Sequence, residues 1–233
     1  MKHPLIALTV RDRKETDNRI FMNNESYYEY IRKAGGIPAD VIVHTEEEAD
    51  EAARRFDGLL ITGGEDVDPA AYGEENRGSF PIAADIEQSD FLLFHAFKKA
   101  GKPILGICRG MQVIAVCEGI GLVQDIPEYN GGQHYQTKLE PPVSREKPLH
   151  DNTVIPGTLL YEIFGPAAHV NSFHHQAAAG VPAGYTLSAV SHDGLIEGFE
   201  KDHIIAVQWH PERMILDDEH LEIARRFVQF CII

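Results

Sequence analysis

Three side chains in this sequence have the types and spacing of a covalent-catalysis set: Cys108, His210 and Glu212. Cys108 lies in Pro103-Ile-Leu-Gly106-Ile-Cys108-Arg-Gly110-Met-Gln112, an apolar run ending in Gly-x-Cys-x-Gly from which a helical pattern starts at once. That is the pattern of a nucleophile elbow with cysteine in place of serine. A nucleophile in so tight a turn needs small neighbours, and Gly106 and Gly110 let strand and helix pass without Cβ clashes. The helix N-terminus presents unpaired N–H groups and the positive end of the macrodipole, which favour a thiolate, and Arg109 is expected to add positive charge. Cys108 is therefore expected to be reactive.

A thiol nucleophile needs a base, and the base needs an orienting group. Ala206-Val-Gln-Trp-His210-Pro-Glu212 supplies both. His210 follows a β-branched run, and Pro211 takes the chain out of the strand while blocking an immediate helix. A carboxylate two residues on can then turn back to the imidazole, hold its tautomer and stabilise the imidazolium.

Elements must bring these distant segments together. Apolar runs at Leu5 to Val10, Ala39 to Val43, Gly58 to Ile61 and Pro103 to Ile107 read as buried strands. Helix-period stretches lie between them: Ser26 to Ala34, Glu46 to Arg55 and Ile86 to Ala100, the first and last closed by glycine. Alternation at this spacing predicts right-handed crossovers and an α/β fold with three layers: a mostly parallel central sheet with helices on both faces. A helix is expected from Arg109 to Cys117, then a long ordered loop or lid from Gln124 to His150. The second half is strand-rich, at His169 to Ser172, Tyr185 to Ser191, Leu195 to Glu200 and Ile204 to Trp209, with hairpin spacing around Asp193-Gly194 and Lys201-Asp202. A last helix spans Asp218 to Phe230, and residues 1–233 read as a single domain.

Composition narrows the partners. With 21 Lys+Arg against 36 Asp+Glu the net charge is −15, the wrong sign for a polyphosphate, so nucleic acid is not expected. No run reaches the ~20 apolar residues needed to cross a bilayer, so no membrane partner is expected either. Three cysteines make no disulfide framework, and Met1-Lys2-His3-Pro4 lacks the apolar region of a signal peptide, which points to a reducing cytoplasm. His169, His174 and His175 are crowded, but neither H-E-x-x-H nor a cysteine pair is present, and no metal is expected. Phosphate-loop motifs are absent, so no nucleotide cofactor is expected. Asp66 and Asp68 read as turn residues, Cys117 and Cys231 as core, and Glu46 to Glu48 as a solvated helix face.

Gly106-Ile-Cys108-Arg-Gly110-Met-Gln112 with Trp209-His210-Pro211-Glu212 resembles the class I glutamine amidotransferase superfamily and, within it, the gamma-glutamyl-gamma-aminobutyrate hydrolase branch of the C26 peptidases. Leu60-Ile-Thr-Gly63-Gly64-Glu-Asp66-Val-Asp68-Pro69, Gln124-Asp125-Ile126, Val170-Asn171-Ser172-Phe-His174-His175-Gln176 and Asp193-Gly194-Leu-Ile-Glu197 look like the same branch, so the likeness spans nearly the whole chain. It implies a flavodoxin-like sheet and a cysteine-dependent hydrolase of small gamma-glutamyl amides, with no cofactor. Cys108 would attack the delta-carbonyl to give a gamma-glutamyl thioester, His210 would act as base and acid, and Glu212 would orient His210. Backbone N–H groups of Gly64 and Arg109 would form the oxyanion hole. Gln112, Asn171, Ser172, His174 and His175 would line the substrate pocket, Gln112 being equally readable as a first-turn residue bonding backbone.

Departures from the branch fall around this centre. Ile86-Glu87 and Asp90 stand where an Arg-Asp pair and a Glu are usual, so a basic residue is missing. Ala115 and Gly119-Ile120-Gly121 replace an Asn and a Gly-Gly-Thr. They bear on leaving group and partner interface, and leave two other readings open: a glutaminase subunit feeding ammonia to a separate synthase, and a binding protein without turnover. The oligomeric state is left open, a homodimer included.

Overall fold

The computed structural model describes residues 3–15 and 18–232, so Met1-Lys2 of the chain start and Ile233 lie outside the described residues. The chain opens with β1 (Leu5–Leu8), the hairpin strands β2 (Arg11–Glu15) and β3 (Asn18–Met22), α1 (Glu25–Lys33), β4 (Ile37–Asp40), α2 (Glu46–Arg55) and β5 (Gly58–Ile61). It continues with α3 (Ala84–Lys99), β6 (Ile104–Ile107), α4 (Arg109–Cys117), the two-residue β7 (Leu122–Val123) and α5 (Ile126–Asn130). The remainder is β8 (His150–Val154), α6 (Leu159–Phe164), β9 (Ala167–Val170), β10 (Ala177–Ala178), β11 (Thr186–Ser191), β12 (Ile196–Lys201), β13 (Ile204–Val207) and α7 (Asp218–Phe230).

The main sheet runs β4-β1-β5-β6-β13-β12-β11-β8-β9, with β10 bridging β12 and β7. Its first five strands are parallel. From β13 onward neighbours are antiparallel. The α/β expectation therefore holds, with a parallel centre and an antiparallel wing. Apolar runs without alternation make the centre because both faces are covered. Leu59, Ile61, Ile104 and Ala206 enter one core with Ala49 and Ala52 of α2, Phe94 and Phe97 of α3, and Ile114 of α4. Leu60, Leu105, Ile205 and Val207, one residue out of step, enter the other with Tyr27 and Tyr30 of α1, Phe164 of α6 and Phe227 of α7.

Register decides where the site can form. Ile61 lies beside Gly106, and Ile107 beside Val207, so β5, β6 and β13 end level at one edge. The segments leaving these three strands meet there: Thr62-Gly63-Gly64, Cys108, and Gln208-Trp209-His210. The carboxyl edge of a parallel sheet is where open α/β folds build crevices.

Several boundaries differ from the sequence reading. The second strand is Ile37–Asp40 rather than 39–43, because pairing with β1 begins at Ile37; Pro38, which lacks an N–H, is tolerated on this edge strand. The β2–β3 hairpin was not expected, since its charged residues show no alternation of polar and apolar. The Gln124 to His150 stretch holds α5 and a one-turn helix at Gln136–Lys138. The two hairpins of the wing turn where expected, with Gly194 at φ +88° and Asp202 at φ +49°.

Candidate active site

Cys108 leaves β6 at φ +55°, a left-handed conformation that a residue with a Cβ adopts only when its surroundings hold it there. Its N–H donates to Val207 O at 2.8 Å, and its carbonyl accepts from Met111 N–H at 3.0 Å as α4 begins. The glycines act as expected. A Cβ on Gly110 would stand 2.0 Å from Ile61 O, and one on Gly106 would meet the Gly110 carbonyl oxygen at 2.8 Å.

His210 stands one short loop beyond β13, and a single turn at Pro211–Arg213 brings the Glu212 carboxylate back, where Oε1 accepts from His210 Nδ1 at 2.8 Å. Glu212 is fully buried. Burial opposes charge on His210, but the Glu212 carboxylate and the Cys108 thiolate overcome it and push its pKa up to about 10. Burial likewise opposes the Cys108 thiolate. The charge of His210 and a hydrogen bond from it prevail, so the thiol is held below its usual range. The environment thus favours a thiolate–imidazolium pair. Asn171 fixes this arrangement from behind: its Oδ1 accepts from His210 N–H at 2.8 Å and its Nδ2 donates to His210 O at 2.9 Å.

A cavity of about 520 Å³ opens over the elbow, lined by Cys108, Arg109, Gly64, Gln112, His174 and His175 among others. Among the described residues no backbone acceptor bonds the N–H of Gly64 or of Arg109. The neighbouring Gly63 N–H is taken instead by Tyr27 Oη at 2.9 Å. Gln112 Nε2 donates to Gln176 O and Gln208 Oε1, both at 3.2 Å. His175 Nε2 lies 2.9 Å from Asp66 Oδ2, and that bond raises the pKa of His175. Asp66 is thus a wall residue as well as a turn residue; it also accepts from Phe80 N–H at 2.8 Å.

Three expectations are corrected. Asn171 and Ser172 do not line the cavity; both are fully buried, and their side chains bond His210 and the His134 segment instead. Nor does Arg109 supply charge to Cys108, because its guanidinium is buried in an ion pair with Asp90. Asp90, expected only as a departure from the family pattern, is the partner of that arginine. Burial raises its pKa to about 6 against the pull of Arg109. Tyr27 escaped sequence reading because an aromatic on the inner face of α1 carries no sign that its hydroxyl reaches the sheet edge.

The peptidase C26 family profile matches residues 4–212. A Mycobacterium tuberculosis protein whose name includes the words glutamine amidotransferase is 37% identical over 202 residues, covering 84% of this chain and 63% of that protein, so the chain spans less than two thirds of that relative. The gamma-glutamyl-gamma-aminobutyrate hydrolase of Escherichia coli O157:H7 is 30% identical over 224 residues, covering 91% of this chain and 87% of that one. The crystal structure of a glutamine amidotransferase from Thermotoga maritima shares the fold at a TM-score of 0.56 and 17% identity, covering 99% of this chain and 94% of that one. No described helix is long and apolar enough to cross a membrane. By sequence and by fold, the chain belongs to the peptidase C26 branch of the class I glutamine amidotransferase superfamily and is a glutamine amidotransferase-like hydrolase.

Proposed function

We propose that this protein hydrolyses gamma-glutamyl amide bonds through a gamma-glutamyl thioester on Cys108, releasing glutamate and an amine. The observation that carries this reading is a thiol at a strained elbow, held below its usual pKa by an imidazole whose Nδ1 bonds Glu212 at 2.8 Å. The Cys108 thiolate attacks the delta-carbonyl, and the N–H groups of Gly64 and Arg109 receive the oxyanion. Loss of one such donor costs about 10²- to 10³-fold in rate. As the tetrahedral intermediate collapses, the C–N bond breaks and the amine leaves with a proton from His210. Water, deprotonated by His210, then attacks the thioester and returns the free thiol and glutamate. Glu212 keeps Nδ1 protonated and so aims Nε2 at the reacting atoms. Gln112, His174 and His175, which face the cavity, would hold the glutamyl group.

Gamma-glutamyl-gamma-aminobutyrate is the first substrate to try, given the E. coli relative's name. The M. tuberculosis relative's name supports a second reading, a glutaminase delivering ammonia to a separate synthase. Purified protein is incubated with gamma-glutamyl-gamma-aminobutyrate, glutamine and a short gamma-glutamyl peptide while released glutamate is followed. Turnover of an amide other than glutamine, abolished in a folded Cys108→Ala variant, is the expected result. Turnover of glutamine alone would favour the second reading, and wild-type-like activity in Cys108→Ala would overturn both.

A further inference from the structure

At the cavity wall and just behind it, three segments far apart in sequence bring two imidazoles and a carboxylate together. His134 comes from the stretch after α5, His174 from the segment after β9, and Glu197 from β12. All three are buried, and their inward atoms lie within 4.8 Å of one another. His174 Nε2 is 3.4 Å from Glu197 Oε1, and His134 Nδ1 is 3.8 Å from the same oxygen. Ligands about 2.0–2.1 Å from a tetrahedral zinc ion stand roughly 3.4 Å apart, so the two separations from Glu197 Oε1 are close to that value and the two imidazoles, within 4.8 Å, would draw in around a shared ion. Among the described residues His174 Nε2 and Glu197 Oε1 pair with each other at this long separation, with no third group in hydrogen-bond range of either atom.

The outward atoms are arranged as a metal site requires. His134 Nε2 lies 3.2 Å from Asp193 Oδ2, and His174 Nδ1 lies 2.9 Å from Gln176 O. A carboxylate on one histidine and a backbone carbonyl on the other each fix a tautomer with its lone pair turned inward, which is how metal-bound imidazoles are usually held. Glu197 Oε2 accepts from Asn152 Nδ2 at 3.4 Å. Ser172 Oγ stands 3.0 Å from His134 Nδ1 and also bonds His134 O, so it keeps a partner when Nδ1 turns to an ion. The His150 ring lies edge-on to His134 at 4.9 Å.

We propose that His134 Nδ1, His174 Nε2 and Glu197 Oε1 form a binding site for one divalent transition-metal ion of the zinc type. The ion displaces the proton shared between His174 and Glu197, and that proton is released to solvent. This site shares His174 with the cavity of the proposed hydrolase, and metal binding is read separately from turnover. It was invisible in the sequence because its ligands follow no spacing rule. Of the crowded histidines, His169 pairs with Asp151 and His175 with Asp66, and only His174 contributes.

Cys108 and His210 could capture zinc by themselves, so the test uses Cys108→Ala protein freed of metal with a chelator. Co²⁺ is titrated while its visible d–d absorption is followed, and Zn²⁺ is titrated against a chromogenic chelator. The expected result is one ion per chain, binding abolished by Glu197→Gln and weakened about 10- to 100-fold by Asp193→Asn. Absence of binding, or binding unchanged in both Glu197→Gln and His134→Gln, overturns the proposal. If those variants do not fold, anomalous diffraction from Zn²⁺-soaked crystals of Cys108→Ala decides. A peak between His134, His174 and Glu197 supports the site, and zinc found only elsewhere refutes it.

Discussion

The parallel centre and the antiparallel wing contribute differently to the same cavity. The centre delivers the groups proposed to react at the tips of adjacent strands: Cys108 after β6 and His210 after β13, whose last residues, Ile107 and Val207, are paired in register. The wing supplies support. Asn171, beyond β9, grips the His210 backbone, while His174 in the cavity wall backs onto the buried Glu197. Groups that would react sit in short local motifs, and groups that hold them are assembled across long sequence separations. Substitutions in the centre should therefore remove chemistry from a folded protein, whereas substitutions in the wing should alter folding and chemistry together.

The largest expected effect that sharpens this contrast lies at Glu212. Glu212→Gln can still fill the buried site but cannot hold the charged imidazole, and kcat should fall about 10³- to 10⁴-fold by analogy with the loss of the orienting acid in serine triads. Steady-state kinetics and a thermal melt check it. A fall of only a few-fold would remove Glu212 from the reacting set, and with it the claim that the centre holds that set complete.

The same division explains what could be read beforehand. Gly106, Cys108 and Gly110 are legible because a strand-to-helix turn imposes small residues at fixed offsets, and a Cβ on Gly110 would indeed collide with Ile61 O. His210 and Glu212 are legible because Pro211 sets the turn between them. Asn171 and Ser172 are not legible in the same way, since a polar segment after a strand reads alike whether it faces a cavity or bonds buried backbone. The Arg109–Asp90 pair was missed because its members lie on α4 and α3, and only packing shows that they meet. The β2–β3 hairpin lacked any periodicity to betray it. Local sterics are written in neighbouring residues, and long-range polar pairing is not.

A smaller effect tests the electrostatics of the centre. Burial raises the thiol pKa of Cys108 and His210 lowers it, with the balance below the thiol's ordinary value. Iodoacetamide alkylation of the wild type should thus titrate with a midpoint below that value. His210→Gln removes the lowering charge and leaves the burial, so the midpoint should move above it. An unmoved midpoint would assign the thiolate to the start of α4 rather than to His210.

In the wing, Asn171→Ala leaves the His210 N–H and carbonyl without their buried partners. Unmet groups of this kind cost about 1–3 kcal/mol. The melting temperature should drop and kcat should fall as His210 loosens, while KM changes little because Asn171 is walled off from the cavity. A rise in KM with stability and kcat preserved would return Asn171 to the substrate and blur the line between centre and wing.

The smallest effect is expected at Tyr27, which belongs to neither region but reaches the centre from α1. Its hydroxyl accepts from Gly63 N–H at 2.9 Å. Burial and the nearby negative charges of Glu212 and Cys108 raise its pKa far above the usual phenol value, so it stays neutral. Gly63 is pinned between Tyr27 and His210: a Cβ there would stand 2.9 Å from the phenol oxygen and 3.0 Å from His210 Cε1. The bond therefore sets the path of the chain into Gly64, whose N–H is proposed to receive the oxyanion. Tyr27→Phe removes one neutral hydrogen bond, worth about 0.5–1.5 kcal/mol, and should lower the melting temperature by roughly 1–6 °C. Because Gly63 is also confined by packing, kcat should change by less than about 10-fold, well short of the loss of an oxyanion donor itself. A 100-fold fall in kcat at unchanged stability would mean that the phenol acts on the reacting atoms, and that the reactive set extends beyond the strand tips to α1.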